Sequence, residues 1–553
     1  MNQTPQLLKV IKVLVADDSP LVLSNIKLLL REMGFVSENI FTAKDSKTII
    51  KLLSEEAIEL IICDYNFGDD LNGKQIFEEI EYLDLVPPWC TFIMLTGEKQ
   101  IERVRSIVDL EPDEYIVKPY SVFLVKNRIL RAFTRKMVLR DLYELGDSKD
   151  YDDIQRAFEF AEQTHPQYSS FLKRLQGSTY IKNGFVEEAK VLYEQSLNEQ
   201  LTTWATCGFV SACLILGDYD NAAKYISLWD RYKFNRNPIM HECMAKLCLL
   251  KGQKENALIE IKSAYDKAQN MDRLQNFARV CELNGQYVKA HELFSQYRMM
   301  AQRTYRDSLM NHVPVIRNAL LGIHELNEQS LRNIKQDMKR LKGHEEVLPE
   351  LSEYLNLFDM HYDLNSGSHK LFRTKLNHTA KRFPSFSLEM QLYFAQLAFL
   401  GQQVDLCRSL LAKISVQPID QMEFSYLVTR TQLKAMNEQC QAEMKRMDNV
   451  RQTWSALNED NRIQGIEMAF TQYQERRQCP RMAVMMLKAM EFGFPVSLSA
   501  VSIRKLIFEC EQVVRESFVF SRQERADFYQ SANIVKNLYN DRLANTLLQH
   551  VRD

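Results

Sequence analysis

Long apolar runs are missing from this chain, and so are the usual marks of export. No stretch approaches the ~20 consecutive apolar residues that a membrane-spanning helix needs, and the first residues lack the basic-then-apolar layout of a secretory signal. A soluble, cytoplasmic protein with no membrane partner is expected. Charge of one sign is also missing. The 70 Lys and Arg offset 72 Asp and Glu to leave a net charge of −2, which excludes the large basic field that nucleic acid requires. The run Arg131 to Arg140 is basic but interrupted by apolar residues, and reads as one face of a helix. The 11 cysteines form no CxxC pairs. Even Cys243 and Cys248 fall in an apolar helical pattern, so buried free thiols in a reducing compartment are expected, not zinc or disulfides. No glycine-rich nucleotide loop, HExxH, GGDEF-like or EAL-like string or basic helix-turn-helix occurs. His344 and His378 stand alone and suit surface or core roles better than phosphate carriage.

Glycine and proline are sparse, at 17 and 14 of 553 residues. That length exceeds a single core and implies about two to four domains or a repeat array. The N-terminal part holds what chemistry there is. Asp17 and Asp18 close the run Val13–Ala16, Asp64 closes Leu60–Cys63, Thr96 closes Phe92–Leu95, and Lys118-Pro119 closes Tyr115–Val117. Each run reads as a buried parallel strand, and strand ends form the ligand crevice of an open α/β sheet. Helical patterns intervene at 20–33, Asp45–Glu56, Gly73–Leu83, Lys99–Val108 and Ser121–Phe133. The strand Asn39–Ala43 carries the weakest pattern. Five βα units imply a five-stranded parallel sheet with helices on both faces.

The order Asp17-Asp18, Asp64, Thr96, Lys118-Pro119 resembles the receiver domain of two-component response regulators of the CheY kind, over residues 8–135. The resemblance implies a flavodoxin-like fold with strand order 2-1-3-4-5. It implies Asp64 as phosphoacceptor, phosphorylated by a sensor histidine kinase, with Lys118 and Thr96 contacting the phosphoryl oxygens. It assigns Mg²⁺ to Asp17, Asp18, Asp64 and the backbone carbonyl of Asn66. Thr96 and Tyr115 take the switch positions, and Pro119 the place of a cis bond. Those residue types suit the chemistry, since phosphoryl transfer asks for positioning and charge neutralisation and clustered carboxylates suit a hard cation. Asn66 and Glu98 match positions that tune hydrolysis, which implies a short-lived phosphoryl group. The loop Asp64–Gly73 departs from the pattern: it lacks the usual proline, brings its glycine one residue late and adds Asp69 and Asp70.

After Pro119 strand signals vanish. Gly184, Gly217, Gly252 and Gly285 recur in register, each followed by an alanine (Ala189, Ala222, Ala257, Ala290) and then a large residue (Tyr193, Ile226, Ile261, Phe294). Glycine permits the tight turn, alanine the close helix approach, and the large residue fills the adjoining gap. The pattern resembles the tetratricopeptide (TPR) repeat, a helix–turn–helix unit of 34 residues, and implies an all-α superhelical solenoid. Ala157 with Pro166, Gly401 with Leu406 and Leu410, and Ala483 with Leu487 suggest degenerate copies. The expected organisation is a receiver at 8–135, a helical linker at 136–150, repeats at 151–300, a helical spacer or degenerate repeats at 301–385, and a repeat-like domain at 386–553. Asn365–Ser368 is the expected break between repeat blocks. Helix is expected to run from Ser121 into Leu145, and again over Ala532–Val551. Met482, Met485, Met486 and Met490 suit core filling better than an adaptable contact.

Receiver plus repeats resembles response regulators of the VieB type. It implies phosphorelay signalling with protein-binding output through the repeats, and no enzyme activity beyond the receiver's own phosphorylation and dephosphorylation. The link would run from the receiver's fourth and fifth helices to the first repeats. The alternative is a phosphate sink or an inhibitor of a histidine kinase. A homodimer is compatible with either.

Overall fold

The structure, a computed structural model, describes residues 4–68, 71–97, 112–145, 148–231, 237–326, 328–343, 349–415, 422–455, 461–517, 520 and 522–550. The chain forms two compact units, residues 1–312 with 421–424, and 313–420 with 425–553.

In the first unit, strands β1 (Val13–Ala16), β2 (Ile40–Ala43), β3 (Leu60–Asp64), β4 (Thr91–Thr96) and β5 (Glu114–Val117) make one parallel sheet in the order β2-β1-β3-β4-β5. This is the order expected, and the weak second strand is present. Alternation sorts the side chains. Val13, Val15, Leu60, Ile62, Ile93 and Leu95 face α1 (Pro20–Met33) and α4 (Val122–Val138). Leu14, Ala16, Ile61, Cys63, Phe92 and Met94 face α2 (Ser46–Glu55) and α3 (Gly73–Tyr82). Two buried faces explain why these strands are apolar throughout. Capping sets the helix starts. The Asp45 side chain accepts from Thr48 N, and Ser121 from Leu124 N. Asn72 and Gln75 form a reciprocal capping box at the start of α3, which satisfies N–H groups the helix itself leaves open. The helical pattern Lys99–Val108 lies outside the described residues, as do Asp69 and Asp70.

The expected continuous helix from Ser121 to Leu145 does not form. Helix α4 stops at Val138, Leu139 takes φ −104° and ψ 13°, and α5 (Arg140–Glu144) starts anew. Leu139 and Leu142 are buried in the core of the following helices, so packing these two leucines overrides the local helical preference. The basic run is tied to the sheet end, with Arg131 paired to Glu114 and Lys136 to Asp113, and Arg128 just before it also pairs with Glu114.

Helix α6 (Tyr151–Thr164) is followed by four helix pairs: α7 (Ser169–Asn183) with α8 (Val186–Glu199), α9 (Thr203–Ile215) with α10 (Tyr219–Arg231), α11 (Pro238–Leu250) with α12 (Lys254–Lys267), and α13 (Met271–Leu283) with α14 (Tyr287–Ala301). Gly184, Gly217, Gly252 and Gly285 sit in the turns with φ of 88°, 74°, 74° and 75°, the left-handed region that favours glycine. Ala189, Ala222, Ala257 and Ala290 are fully buried, and Tyr193, Ile226, Ile261 and Phe294 pack in the core. The register read from the sequence is therefore a packing register.

The second unit is also helical in its described residues: α15 (His312–Leu321), α16 (Glu328–Lys342), α17 (Pro349–Asn365), α18 (His369–Thr379), α19 (Leu388–Leu400), α20 (Val404–Leu411), α21 (Phe424–Ser455), α22 (Arg462–Glu475), α23 (Pro480–Met490), α24 (Ala500–Arg515) and α25 (Arg522–His550). Asn365–Ser368 is not a break. It is the turn between α17 and α18, with Gly367 at φ 75°, and the compact units divide instead at 312/313. Gly401 is required for a different reason from the in-register glycines. Its φ is ordinary, and a Cβ there would meet the Phe372 ring at 2.2 Å. Met482, Met485, Met486 and Met490 are buried.

Candidate functional site

The carboxyl ends of β1, β3 and β4 meet the end of β5 at one crevice. Asp17 and Asp64 are buried there and Asp18 is exposed. One ligand oxygen from each of these three carboxylates falls within 4.8 Å of the others, a donor set that could hold a metal ion and is all hard oxygen. Asp17 is held by the Ser19 backbone N–H, which donates to its Oδ1 at 2.9 Å. Lys118 Nζ lies 3.0 Å from Asp17 Oδ2 and 2.9 Å from Asp64 Oδ1. The Lys118-Pro119 peptide is cis, and the Lys118 backbone N–H donates to the Thr96 carbonyl at 2.6 Å.

Electrostatics follow from this crowding. Burial pushes the Asp64 carboxyl above the ordinary aspartate value, and Lys118 pulls it back only in part. Burial works against the Lys118 charge, but its hydrogen bonds to Asp64 and Asp17 outweigh that and hold its pKa above the usual lysine value. The crevice thus holds more negative charge than one ammonium neutralises, and a divalent cation would relieve it.

The sequence-derived residues converge in part. Asp17, Asp18, Asp64 and Lys118 are brought together directly. Thr96 is fully buried at the end of β4. Tyr115 is half-buried on β5 and packs against the α2–α3 side of the core. Asn66 is exposed just after β3. Glu98 lies outside the described residues. The late glycine of the loop finds its reason here. The Gly73 N–H donates to the Tyr65 carbonyl at 2.7 Å, and a Cβ on Gly73 would sit 2.3 Å from the Asp64 carbonyl oxygen. The start of α3 is therefore pressed against the backbone of Asp64.

Sequence reasoning missed a second concave feature. In the second unit a cavity of about 860 Å³ is lined by Met447, Trp454, Met482, Met485 and Phe528 together with Arg481. Arg481 grips Asp405 through two hydrogen bonds of 2.7 and 2.6 Å and reaches Asp448 at 3.2 Å. These partners come from separate helices, so no local spacing announces them.

Residues 13–129 match the family model described as "Response regulator receiver domain". Among curated proteins, Response regulator RR06 of Streptococcus pneumoniae is 25% identical over 135 residues, covering 24% of this chain and 58% of that regulator's length. Chemotaxis protein CheY-3 of Vibrio cholerae is 27% identical over 132 residues, 23% of this chain and 95% of that protein. A crystal structure of a response regulator receiver domain protein from Clostridium thermocellum aligns at 29% identity over 24% of this chain and 99% of that one, with a TM-score of 0.21. Strand order, the acidic crevice with its lysine and the family match agree: the N-terminal segment is a CheY-like response regulator receiver domain.

Proposed function

We propose that the protein is a response regulator of two-component signalling, phosphorylated on Asp64 by a histidine kinase and acting through protein binding by its helical region. The observation that carries this is the juxtaposition of the Lys118 ammonium with the Asp64 and Asp17 carboxylates. A carboxylate oxygen of Asp64 attacks the phosphorus of a phosphohistidine. The O–P bond forms, and the P–N bond breaks with its electron pair leaving on the imidazole nitrogen. Asp17, Asp18 and Asp64, with the Asn66 carbonyl, would hold Mg²⁺, which offsets the charge of the incoming phosphoryl group. Lys118 shifts from the carboxylates to the phosphoryl oxygens, and the Thr96 hydroxyl turns toward them. The space Thr96 vacates admits Tyr115, a local charge event read out by a two-state element.

The in-register pattern of turn glycine, buried alanine and large core residue supports reading residues 151–300 as TPR-like repeats. Such arrays present extended faces to peptides or helices of other proteins. Incubating the full chain with a small acyl-phosphate donor and magnesium, followed by intact-mass and peptide analysis, tests the acceptor assignment. One phosphoryl group is expected on Asp64 and none in Asp64→Ala. An unmodified Asp64 excludes the reading.

A further inference from the structure

Helix α3 starts at Gly73, against the Asp64 backbone, and packs on the helical part of the same compact unit. Its outer face is gripped there. Lys74 Nζ lies 3.5 Å from the Gln269 carbonyl, and Gln75 Nε2 donates to the Met300 carbonyl at 3.2 Å. The Glu79 carboxylate accepts the Tyr305 backbone N–H. Tyr82 stacks on Tyr305 with ring centroids 4.1 Å apart and planes 14° from parallel. Lys74 and Glu79 are only 8% and 9% exposed, a burial that charged side chains accept when partners cover them. The turn that offers Tyr305 is itself braced. Arg303 sits at φ 65°, its N–H donates to Asp307 Oδ2 at 3.1 Å, and Asn311 Nδ2 donates to the Arg306 carbonyl at 2.8 Å. Arg306 pairs with Asp272 at 2.6 Å and lies 5.1 Å from the Tyr305 ring centroid.

We propose that this clasp is a regulatory contact that opposes loading of the acceptor site. The proposal rests on Asp64 being the phosphoacceptor. In the clasped arrangement Lys118 is engaged by both Asp17 and Asp64, so this is the form suited to a free carboxylate. A phosphoryl group adds up to about two negative charges and draws Lys118 off the carboxylates. The backbone at Tyr65 lies close against Gly73, where a Cβ would lie 2.9 Å from Tyr65 Cα, so movement of one presses on the other. Strain at the site therefore passes to the first turn of α3, and a helix held by Tyr305 resists it. By linkage, loading the site loosens the clasp, and opening the clasp tightens binding at the site by the same factor.

The test uses the full chain with magnesium and beryllofluoride as the probe. Tyr82→Ala and Tyr305→Ala are each expected to raise beryllofluoride affinity at least about fivefold. The double variant gains no more than either alone, because both remove one contact. Tyr305→Phe, which keeps the ring and loses only the hydroxyl's hydrogen bond with Arg306, stays closer to wild type than Tyr305→Ala. In the wild type the probe speeds amide exchange in residues 73–82. Affinity that is unchanged or weaker in alanine variants whose residues 73–82 already exchange faster overturns the proposal. If neither wild type nor variants bind beryllofluoride, and no phosphoryl group reaches Asp64, the acceptor reading fails and the coupling falls with it.

Discussion

Gly73 and Asp64 touch through their backbones: a β-carbon on Gly73 would lie 2.3 Å from the Asp64 carbonyl oxygen. A side chain at Gly73 must therefore push the first turn of α3 away from the strand end that carries the acceptor. Gly73→Val is expected to cost about 1–3 kcal/mol, as overpacking does, and to slow phosphorylation from a small donor at least about tenfold through misplacement of Asp64. Urea unfolding and the time course of modification check this. A variant with wild-type phosphorylation would show that the loop tolerates displacement.

Removing the charge at Asp64 should stabilise the metal-free protein. Burial holds its folded pKa above the unfolded value, so the ionised form is the disfavoured one in the fold. The sign follows: at neutral pH the wild type carries a penalty that disappears as pH falls through the carboxylate range. Asp64→Asn is expected to melt higher than wild type at neutral pH without divalent cations. The advantage shrinks on acidification, and shrinks also when magnesium is added, because only the wild type gains from the ion. Lys118→Met has the opposite sign, since it leaves Asp17 and Asp64 facing each other without their cation. A melting temperature for Asp64→Asn below that of wild type in chelator would contradict this account.

Much of the site was legible because its residues close apolar runs whose ends the parallel topology brings together. Asp17, Asp64 and Lys118 lie far apart in the chain but at the same end of one parallel sheet, after β1, on β3 and after β5. The turn glycines were legible because a left-handed φ leaves a residue-type signature. The contacts Glu79–Tyr305 and Tyr82–Tyr305 were not, for they join residues separated by more than 220 positions through one loop. The sequence pointed to the fourth and fifth helices as the route to the repeats. The last receiver helix does make a contact, Arg135 over Phe171 at 4.6 Å, but among the described residues α3 carries the fuller set. The break at Leu139 was hidden for a similar reason: local propensity favours helix, and burial of Leu139 and Leu142 decides otherwise.

Tyr193 shows how the repeat pattern works as packing. Its ring lies where the β-carbons of both Gly177 and Gly208 would be, at 2.5 and 2.4 Å, so two helices close on one aromatic. Gly208→Ala is expected to cost about 1–3 kcal/mol. Combining it with Tyr193→Leu should recover part of that loss, because the smaller side chain leaves room for the methyl group. Urea midpoints of the two single variants and the double variant form the cycle that measures the coupling. Strict additivity would mean that the ring and the glycine do not share the space.

His361 gives the second unit its own acid sensitivity. It is 2% exposed and its Nδ1 lies 2.8 Å from the hydroxyl of the buried Tyr393. Burial lowers its pKa to about 3, against about 6.5 in an unfolded chain. The unfolded state therefore binds the proton first. Stability is full above the unfolded value and falls as pH drops through it toward the folded one, by up to about 1.4 kcal/mol per pH unit. Burial and the neighbouring Arg373 also push His369 downward, which adds slope of the same sign. Hydrogen exchange in urea should show protection of α17 and α19 lost at lower denaturant as pH is reduced from about 7 to about 5. His361→Gln removes the titrating group and is expected to flatten that dependence, leaving the share due to His369. An unaltered slope in His361→Gln would place the titration elsewhere, whatever the variant does to stability at neutral pH.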